Sequence, residues 1–146
     1  MAQARPAAGF TLIELVIALA IVAITTSIAA SSYRRYLQRG HRAEAVHALL
    51  VAAAEQEKFH LANGHYGDRL DASAGEDPPG LPIASRTPGG RYLLSVPMAT
   101  AAGYRVVATA TDISGDTGCS SYWIDESGRR TATDLGGSDS TARCWP

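Results

Sequence analysis

Near its start the sequence contains a hydrophobic block that is interrupted by a single charge. From Phe10 to Ala30 there are 21 residues, and Glu14 is the only charged one. As an α-helix the block would be roughly 30 Å long, about the thickness of the hydrocarbon core of a bilayer. The pattern predicts a membrane-spanning helix half. Since an ionisable residue in such a segment is costly, Glu14 is a candidate functional residue.

The helical pattern continues beyond this block, with apolar residues on one side only. They recur at i, i+3, i+4 and i+7 at Val46, Leu49, Leu50 and Ala53. This spacing predicts an amphipathic helix half whose apolar side packs on a domain. The tripeptide Ala62-Asn63-Gly64 is the predicted end, because glycine readily takes the left-handed conformation that closes helices. One helix of roughly 75–80 Å is expected.

Strand patterns follow in the C-terminal part. Residues 65–90 are rich in turn formers and predict a loop. Alternation in 91–97 and 104–110 predicts a hairpin that turns over 98–102, and 121–125 and 129–134 predict a second one. The fold class is therefore α+β, with a four-stranded antiparallel sheet covering the amphipathic helix half. The tail 135–146 is expected to stay loose unless Cys144 ties it down.

The chain has two cysteines, Cys119 and Cys144, at a spacing that is not typical of a metal site. A disulfide is the favoured interpretation and implies an oxidising compartment, and two buried free thiols are the alternative. In the chain-entropy model the bridge would contribute roughly 3.5 kcal/mol of stability.

Charge is unevenly distributed. Four arginines, at positions 34, 35, 39 and 42, follow the hydrophobic block. By the positive-inside rule they predict a cytoplasmic C-terminal domain, which conflicts with the inference from the cysteines. From residue 45 onward there are 8 Lys and Arg against 12 Asp and Glu, a net charge of −4. This balance argues against a generally basic nucleic-acid surface, though not against a local patch.

The heptapeptide Gly9-Phe10-Thr11-Leu12-Ile13-Glu14-Leu15 resembles the class III signal of type IV prepilins and type II secretion pseudopilins. In that signal a short leader ends in Gly, Phe follows, and an acid lies four residues further on before an apolar helix. The resemblance implies the pilin fold, cleavage between Gly9 and Phe10 by a prepilin peptidase, and N-methylation of the Phe10 amine. It also implies that Glu14 meets the N-terminal amine of a neighbouring subunit.

This resemblance predicts a structural subunit, a minor pilin of the PilE type, in a type IV pilus used for motility, adhesion or DNA uptake. The expected organisation is a leader (1–9), a membrane and filament-core helix half (10–30), an amphipathic half (31–62) and a β domain (63–146). The expected partners are other pilin subunits through the N-terminal helix, prepilin peptidase, the inner-membrane assembly machinery, and membrane lipid before assembly. The implied location is a single inner-membrane span with a periplasmic C-terminal domain, followed by the filament at the cell surface. The arginines would then meet lipid head groups or acids on neighbouring subunits.

Two alternatives keep the same fold. A type II secretion pseudopilin would use Asp112, Asp116, Asp134 and Asp139 as calcium ligands. Their spacing matches no standard calcium loop, so solvated turn acids are expected instead. A DNA-receptor pilin of a competence pilus would use a basic stripe on the disulfide-bounded face, with Arg129, Arg130 and Arg143 as candidates. DNA is a possible but not favoured partner.

No catalytic motif occurs in the sequence, so no enzymatic activity, catalytic residue or cofactor is expected. His60 and His65 lack an obvious third ligand, and no metal site is expected there. An ordinary secretory signal cleaved after Ala20 is disfavoured by Glu14, which would lie within its apolar region.

Overall fold

The computed structural model describes residues 9–73, 75–111 and 115–145, apart from the side chain of Ser31. The elements are α1 Leu12–Asn63, β1 Tyr92–Ala99, β2 Tyr104–Ala110, β3 Ser121–Asp125, β4 Arg130–Thr133 and α2 Thr141–Cys144. The chain divides into two compact units, Met1–Leu37 and Gln38–Pro146, and α1 contributes residues to both.

In the first unit, α1 is long and apolar enough to cross a bilayer. The described side chains of this unit are all exposed. The hydroxyl groups of Thr25, Thr26 and Ser27 donate hydrogen bonds to backbone carbonyls of the preceding turn, at 2.7–3.0 Å. Because these bonds satisfy the hydroxyls within the helix, the polar residues add little to the cost of placing it in hydrocarbon.

The helix ends where the sequence predicts. Gly64 has a φ of +74°, the left-handed conformation that glycine adopts without a Cβ penalty. Its N–H donates to the carbonyl of His60 at 2.8 Å. The Asn63 side chain donates to the carbonyl of Phe59 at 2.9 Å. These two bonds satisfy carbonyls that the end of the helix would otherwise leave without partners.

The four strands form one antiparallel sheet in the order β1-β2-β3-β4. This arrangement confirms the predicted α+β fold. The second hairpin lies where it was predicted, with β4 one residue shorter at each end than the predicted 129–134. β1 continues to Ala99, two residues beyond its predicted end, with an irregular register between Ser95 and Met98. Pro97 lies in that irregular stretch of an edge strand, where a missing N–H is tolerated.

The core of the second unit lies between α1 and one face of the sheet. From α1 it takes both small and larger side chains, with Ala45, Leu49 and Ala52 fully buried. The sheet contributes large ones, including Tyr92 and Tyr122.

The predicted apolar side of the helix was partly wrong. Leu50 is 40% exposed and Ala53 only half-buried. The prediction placed the buried side of the helix toward Leu50 and Ala53, whereas the buried positions run through Ala45, Leu49 and Ala52. Gln56 also lies on this face and was not predicted. Its amide accepts a hydrogen bond from the N–H of Gly67 at 2.9 Å and donates to the Gly67 carbonyl at 2.7 Å.

The C-terminal tail is attached by more than its cysteine. The Thr141 hydroxyl accepts a hydrogen bond from the N–H of Ala132 at 2.9 Å, and the indole N–H of Trp145 donates to the carbonyl of Thr131 at 2.9 Å. Cys144 ties the tail down as expected, and these two hydrogen bonds add to that attachment. These bonds satisfy backbone groups of β4 that an edge strand would otherwise leave open.

Candidate functional site

The predicted processing point lies immediately before the helix. Gly9 and Phe10 are both exposed, and the Phe10 side chain is 86% accessible. A Cβ atom placed on Gly9 would meet no described atom within 4 Å. The fold therefore leaves the peptide bond between these two residues open to an enzyme.

Glu14 lies in the first turn of α1 with its side chain exposed. Its N–H donates to the hydroxyl of Thr11 at 3.3 Å. Within residues 9–73, 75–111 and 115–145, no side chain or backbone group pairs with its carboxylate. The negative charge lies near the positive end of the helix dipole, which stabilises it. The carboxylate is available for a cation from another molecule.

Thr11 was not singled out from the sequence, although the signal for it was present. Thr11-Leu12-Ile13-Glu14 has the spacing of a capping box, in which a Thr hydroxyl accepts the N–H of the residue three positions later. Thr11 thereby fixes the start of α1 and the position of Glu14 on its first turn.

The predicted disulfide is present. Cys119 and Cys144 are bonded, with their Cα atoms 5.8 Å apart, and both are buried. Cys119 precedes β3 and Cys144 ends α2, so the bridge closes the segment that contains β3, β4 and the tail. Holding a loop of this length stabilises the fold by roughly 3.5 kcal/mol in the chain-entropy model.

An ion pair that the sequence did not predict links α1 to the loop before Cys119. The guanidinium of Arg42 donates through Nε to Asp116 Oδ2 at 2.6 Å and through a terminal nitrogen to Oδ1 at 3.1 Å. The side chains are 20% and 4% exposed. The hydrogen bond to Asp116 outweighs burial and raises the pKa of Arg42. The expectations that Arg42 meets lipid or a neighbouring subunit, and that Asp116 is a solvated acid, were wrong because the two pair with each other.

The other proposed calcium ligands stabilise turns. Asp134 accepts the N–H of Ser138 at 2.9 Å, and Asp139 accepts the hydroxyl and N–H of Thr141 at 2.6 and 2.8 Å. The bonds from Thr141 lower the pKa of Asp139. Asp112 lies outside the described residues. In the described part of the chain no three His, Cys, Asp or Glu side chains form a group that could hold a metal ion.

The two histidines that were considered as metal ligands pack on aromatic rings. His60 stacks on Tyr66 with ring centroids 4.4 Å apart, and His65 meets Phe59 edge-on at 5.5 Å. These contacts close the end of α1 against the following loop.

The three arginines that were considered for DNA do not lie together. Arg129 and Arg130 are exposed at the turn between β3 and β4. Arg143 lies at the other end of β3, where its guanidinium donates to the carbonyl of Gly118 at 2.6 Å. Arg130 lies over the ring of Trp145, with its guanidinium carbon 5.5 Å from the ring centroid. The turn therefore carries two of the three candidates.

A fourth arginine, which the sequence analysis missed, lies near this turn on the sheet. Arg105 of β2 is exposed, and its guanidinium carbon lies 4.5 Å from the centroid of the Trp123 ring on β3. Sequence alternation could have placed both side chains on the outer sheet face, but the pairing of β2 with β3 was needed to bring them together.

A long helix with an apolar first half, packed through its second half on an antiparallel sheet with a C-terminal disulfide, defines a type IV pilin-like protein. A family model described as "Type IV minor pilin ComP, DNA uptake sequence receptor" matches residues 31–123, and the chain belongs to this family. A second model, "Prokaryotic N-terminal methylation motif", matches residues 4–30. The predicted resemblance and the prediction of a minor pilin are thereby confirmed.

A solved type IV pilin from Shewanella oneidensis is 22% identical, with 75% of this chain and 98% of that chain covered and a TM-score of 0.49. None of the curated proteins compared with this chain matches it.

Proposed function

We propose that this minor pilin is a DNA-binding subunit of a type IV filament. In this proposal a prepilin peptidase cleaves between Gly9 and Phe10, and the new Phe10 amine is methylated. The apolar half of α1 holds the protein in the inner membrane, with the second unit in the periplasm. The processed subunit then enters the filament, where Glu14 pairs with the amine of a neighbouring Phe10.

The methylation motif and the helix support the first part of the proposal. The processing point is exposed, α1 can cross a bilayer, and Glu14 has no partner among the described residues. A carboxylate in apolar surroundings is costly alone and far less costly beside a cation. Packing against a second subunit supplies that cation, so the same residue favours leaving the membrane and fixes the register of assembly.

Membership of the DNA uptake sequence receptor family is the observation that carries the second part. It favours the competence-pilus alternative over the type II secretion pseudopilin. The second unit has few basic residues, so DNA must meet a local group of them. Arg129 and Arg130 are the best candidates, since they are adjacent and exposed at one turn. The carboxylate of Asp125 lies 3.8 Å from Nε of Arg129, a distance too long for a strong hydrogen bond.

Binding of duplex DNA by the full-length processed pilin in detergent micelles tests this proposal. We expect fluorescence anisotropy to show binding that weakens as salt rises, because each neutralised phosphate adds about 0.9 to the slope of log K against log salt. The double variant Arg129→Gln/Arg130→Gln should lower that slope by about two.

Arg86→Gln is the matched control, since this exposed arginine lies on the loop before β1 and donates to the carbonyl of Gly90. It should leave the slope unchanged. Absence of salt-dependent DNA binding by the wild-type pilin would contradict the proposed DNA function. If the double variant binds DNA with the wild-type slope, DNA contacts the pilin somewhere other than this turn.

A further inference from the structure

The outer face of the sheet carries an aromatic side chain that the core does not use. Trp123 is half-buried at the centre of β3, and the strand register places it between Val107 of β2 and Thr131 of β4. Both neighbours have short side chains. Because successive strand side chains alternate between faces and Tyr122 and Ile124 are buried in the core, the indole lies on the outer face of the sheet between these two short side chains.

Arg105 is held against this indole without being neutralised. Its guanidinium carbon lies 4.5 Å from the ring centroid, and it forms no ion pair with any residue in the described part of the chain. An arginine stacked on an aromatic ring keeps its N–H edge free for a bidentate contact with phosphate. The stacking also orders the side chain before a ligand arrives, which lowers the entropy lost on binding.

The nearby carboxylates are already engaged. Asp125 faces Arg105 across the strands, but it is buried and accepts hydrogen bonds from the N–H of Ser127, the hydroxyl of Ser127 and the N–H of Arg129. Burial opposes ionisation of this carboxyl, but these bonds outweigh it and lower the pKa of Asp125. Glu126 accepts the N–H of Tyr104 at 3.3 Å. Both acids accept hydrogen bonds from other groups, and neither forms an ion pair with Arg105 in the described part of the chain.

Of the two arginines at the neighbouring turn, Arg129 lies on the side of this pair, because its Nε is 3.8 Å from the carboxylate of Asp125, which is opposite Arg105 in the register. Arg130 is opposite the buried Ile124 and lies over Trp145. Thr131, which faces Trp123 in the register, directly follows Arg129 and Arg130 in sequence. Arg129 and the indole are therefore on neighbouring parts of the same sheet face. An aromatic ring beside cationic groups is the arrangement with which proteins bind a base together with its flanking phosphates.

We propose that Trp123 and Arg105 form a site for an unpaired base of DNA and its phosphate, an inference that rests on the proposed DNA-binding function. Within a duplex both faces of a base are covered by its neighbours, so an indole standing on a sheet cannot stack on it. A single-stranded overhang or a frayed end exposes a base face. The pilin therefore binds DNA that has unpaired bases more tightly than a blunt duplex of the same sequence.

The test compares the full-length processed pilin on a blunt duplex and on the same duplex with a short single-stranded overhang, at one salt concentration. We expect the overhang to tighten binding about fivefold or more, the range given by stacking one base on an aromatic ring. Trp123→Leu should reduce the ratio of the two affinities, overhang over blunt duplex, to about one. Binding to the blunt duplex itself should be nearly unchanged. Trp123→Phe should retain part of the preference for the overhang, which separates loss of stacking from loss of fold.

Arg105→Lys keeps the charge but loses the planar stacking, and should reduce the ratio, whereas Arg86→Gln should leave it unchanged. Tryptophan emission should be quenched by the overhang DNA in the wild type and not in Trp123→Leu, where Trp145 remains. Equal binding of the two DNAs by the wild type, or a ratio that survives in Trp123→Leu, overturns this inference while leaving the proposed function intact. Absence of binding to either DNA overturns both.

Discussion

Replacing Glu14 with Val should remove most of the pilin from filaments while leaving it in the membrane. The variant deletes the only charge of the hydrophobic block, so insertion should be intact or improved. Assembly loses the contact with the neighbouring Phe10 amine. A hydrogen bond to a charged group contributes about 1.5–3 kcal/mol, and 1.4 kcal/mol is a factor of ten, so incorporation should fall roughly tenfold or more.

The readout for Glu14 is the ratio of subunit in sheared filaments to subunit in membranes. Glu14→Asp should be intermediate, because it keeps the charge but shortens its reach by one methylene. Ile17→Val is the matched control, an apolar change in the same helix that should leave the ratio near the wild-type value. Cleavage at Gly9 should proceed in all three variants. Normal incorporation of the Val variant would reduce Glu14 to a tolerated polar residue.

The second large effect is expected at the ion pair of the second unit. Arg42→Met keeps an aliphatic side chain of similar length but leaves Asp116 as a buried carboxylate. Its one remaining donor among residues 9–73, 75–111 and 115–145 is the N–H of Gly118, at 3.1 Å. Breaking a buried pair on one side costs about 3–5 kcal/mol, and we expect a value near the lower end because Arg42 is 20% exposed. Denaturant unfolding of the full chain in detergent measures this loss.

The double variant Arg42→Met/Asp116→Asn separates the charge from the packing. It removes the uncompensated carboxylate, so we expect it to be more stable than Arg42→Met alone. Arg91→Met makes the same substitution at another half-buried arginine, directly before β1, and shows what the change of side chain costs away from Asp116. If Arg42→Met unfolds at the same denaturant concentration as the wild type, the pair does not link α1 to the disulfide-bounded segment in solution.

Local signals in the sequence were sufficient for much of the fold. Gly64 marks the end of α1 because only a residue without Cβ takes its conformation without cost, and the alternation of Tyr104, Val106 and Ala108 with other residues marks β2. The face of α1 that is buried was harder to predict, since it depends on how the helix is rotated against the sheet. Leu50 is more hydrophobic than Ala52, yet Leu50 is 40% exposed and Ala52 is fully buried, because the rotation of the helix decides which positions face the sheet.

The residues of the candidate site also fall into those that the sequence shows together and those that only the fold brings together. Gly9, Phe10 and Glu14 form a contiguous motif, so the sequence displays them together. Arg42 and Asp116 are 74 positions apart, and nothing in either local sequence reveals the other. Arg105 and Trp123 likewise meet only through the pairing of β2 with β3. Long-range side-chain pairs follow from strand register and helix rotation, which local patterns do not specify.

The central claim is that this chain is processed at Gly9 and then assembles into a filament. The most direct measurement is the intact mass of the subunit recovered from sheared filaments. We predict a chain that begins at Phe10 and carries one methyl group on its new amine. Subunits in the filament that retain residues 1–9, or a processed chain found only in membranes, would contradict this account.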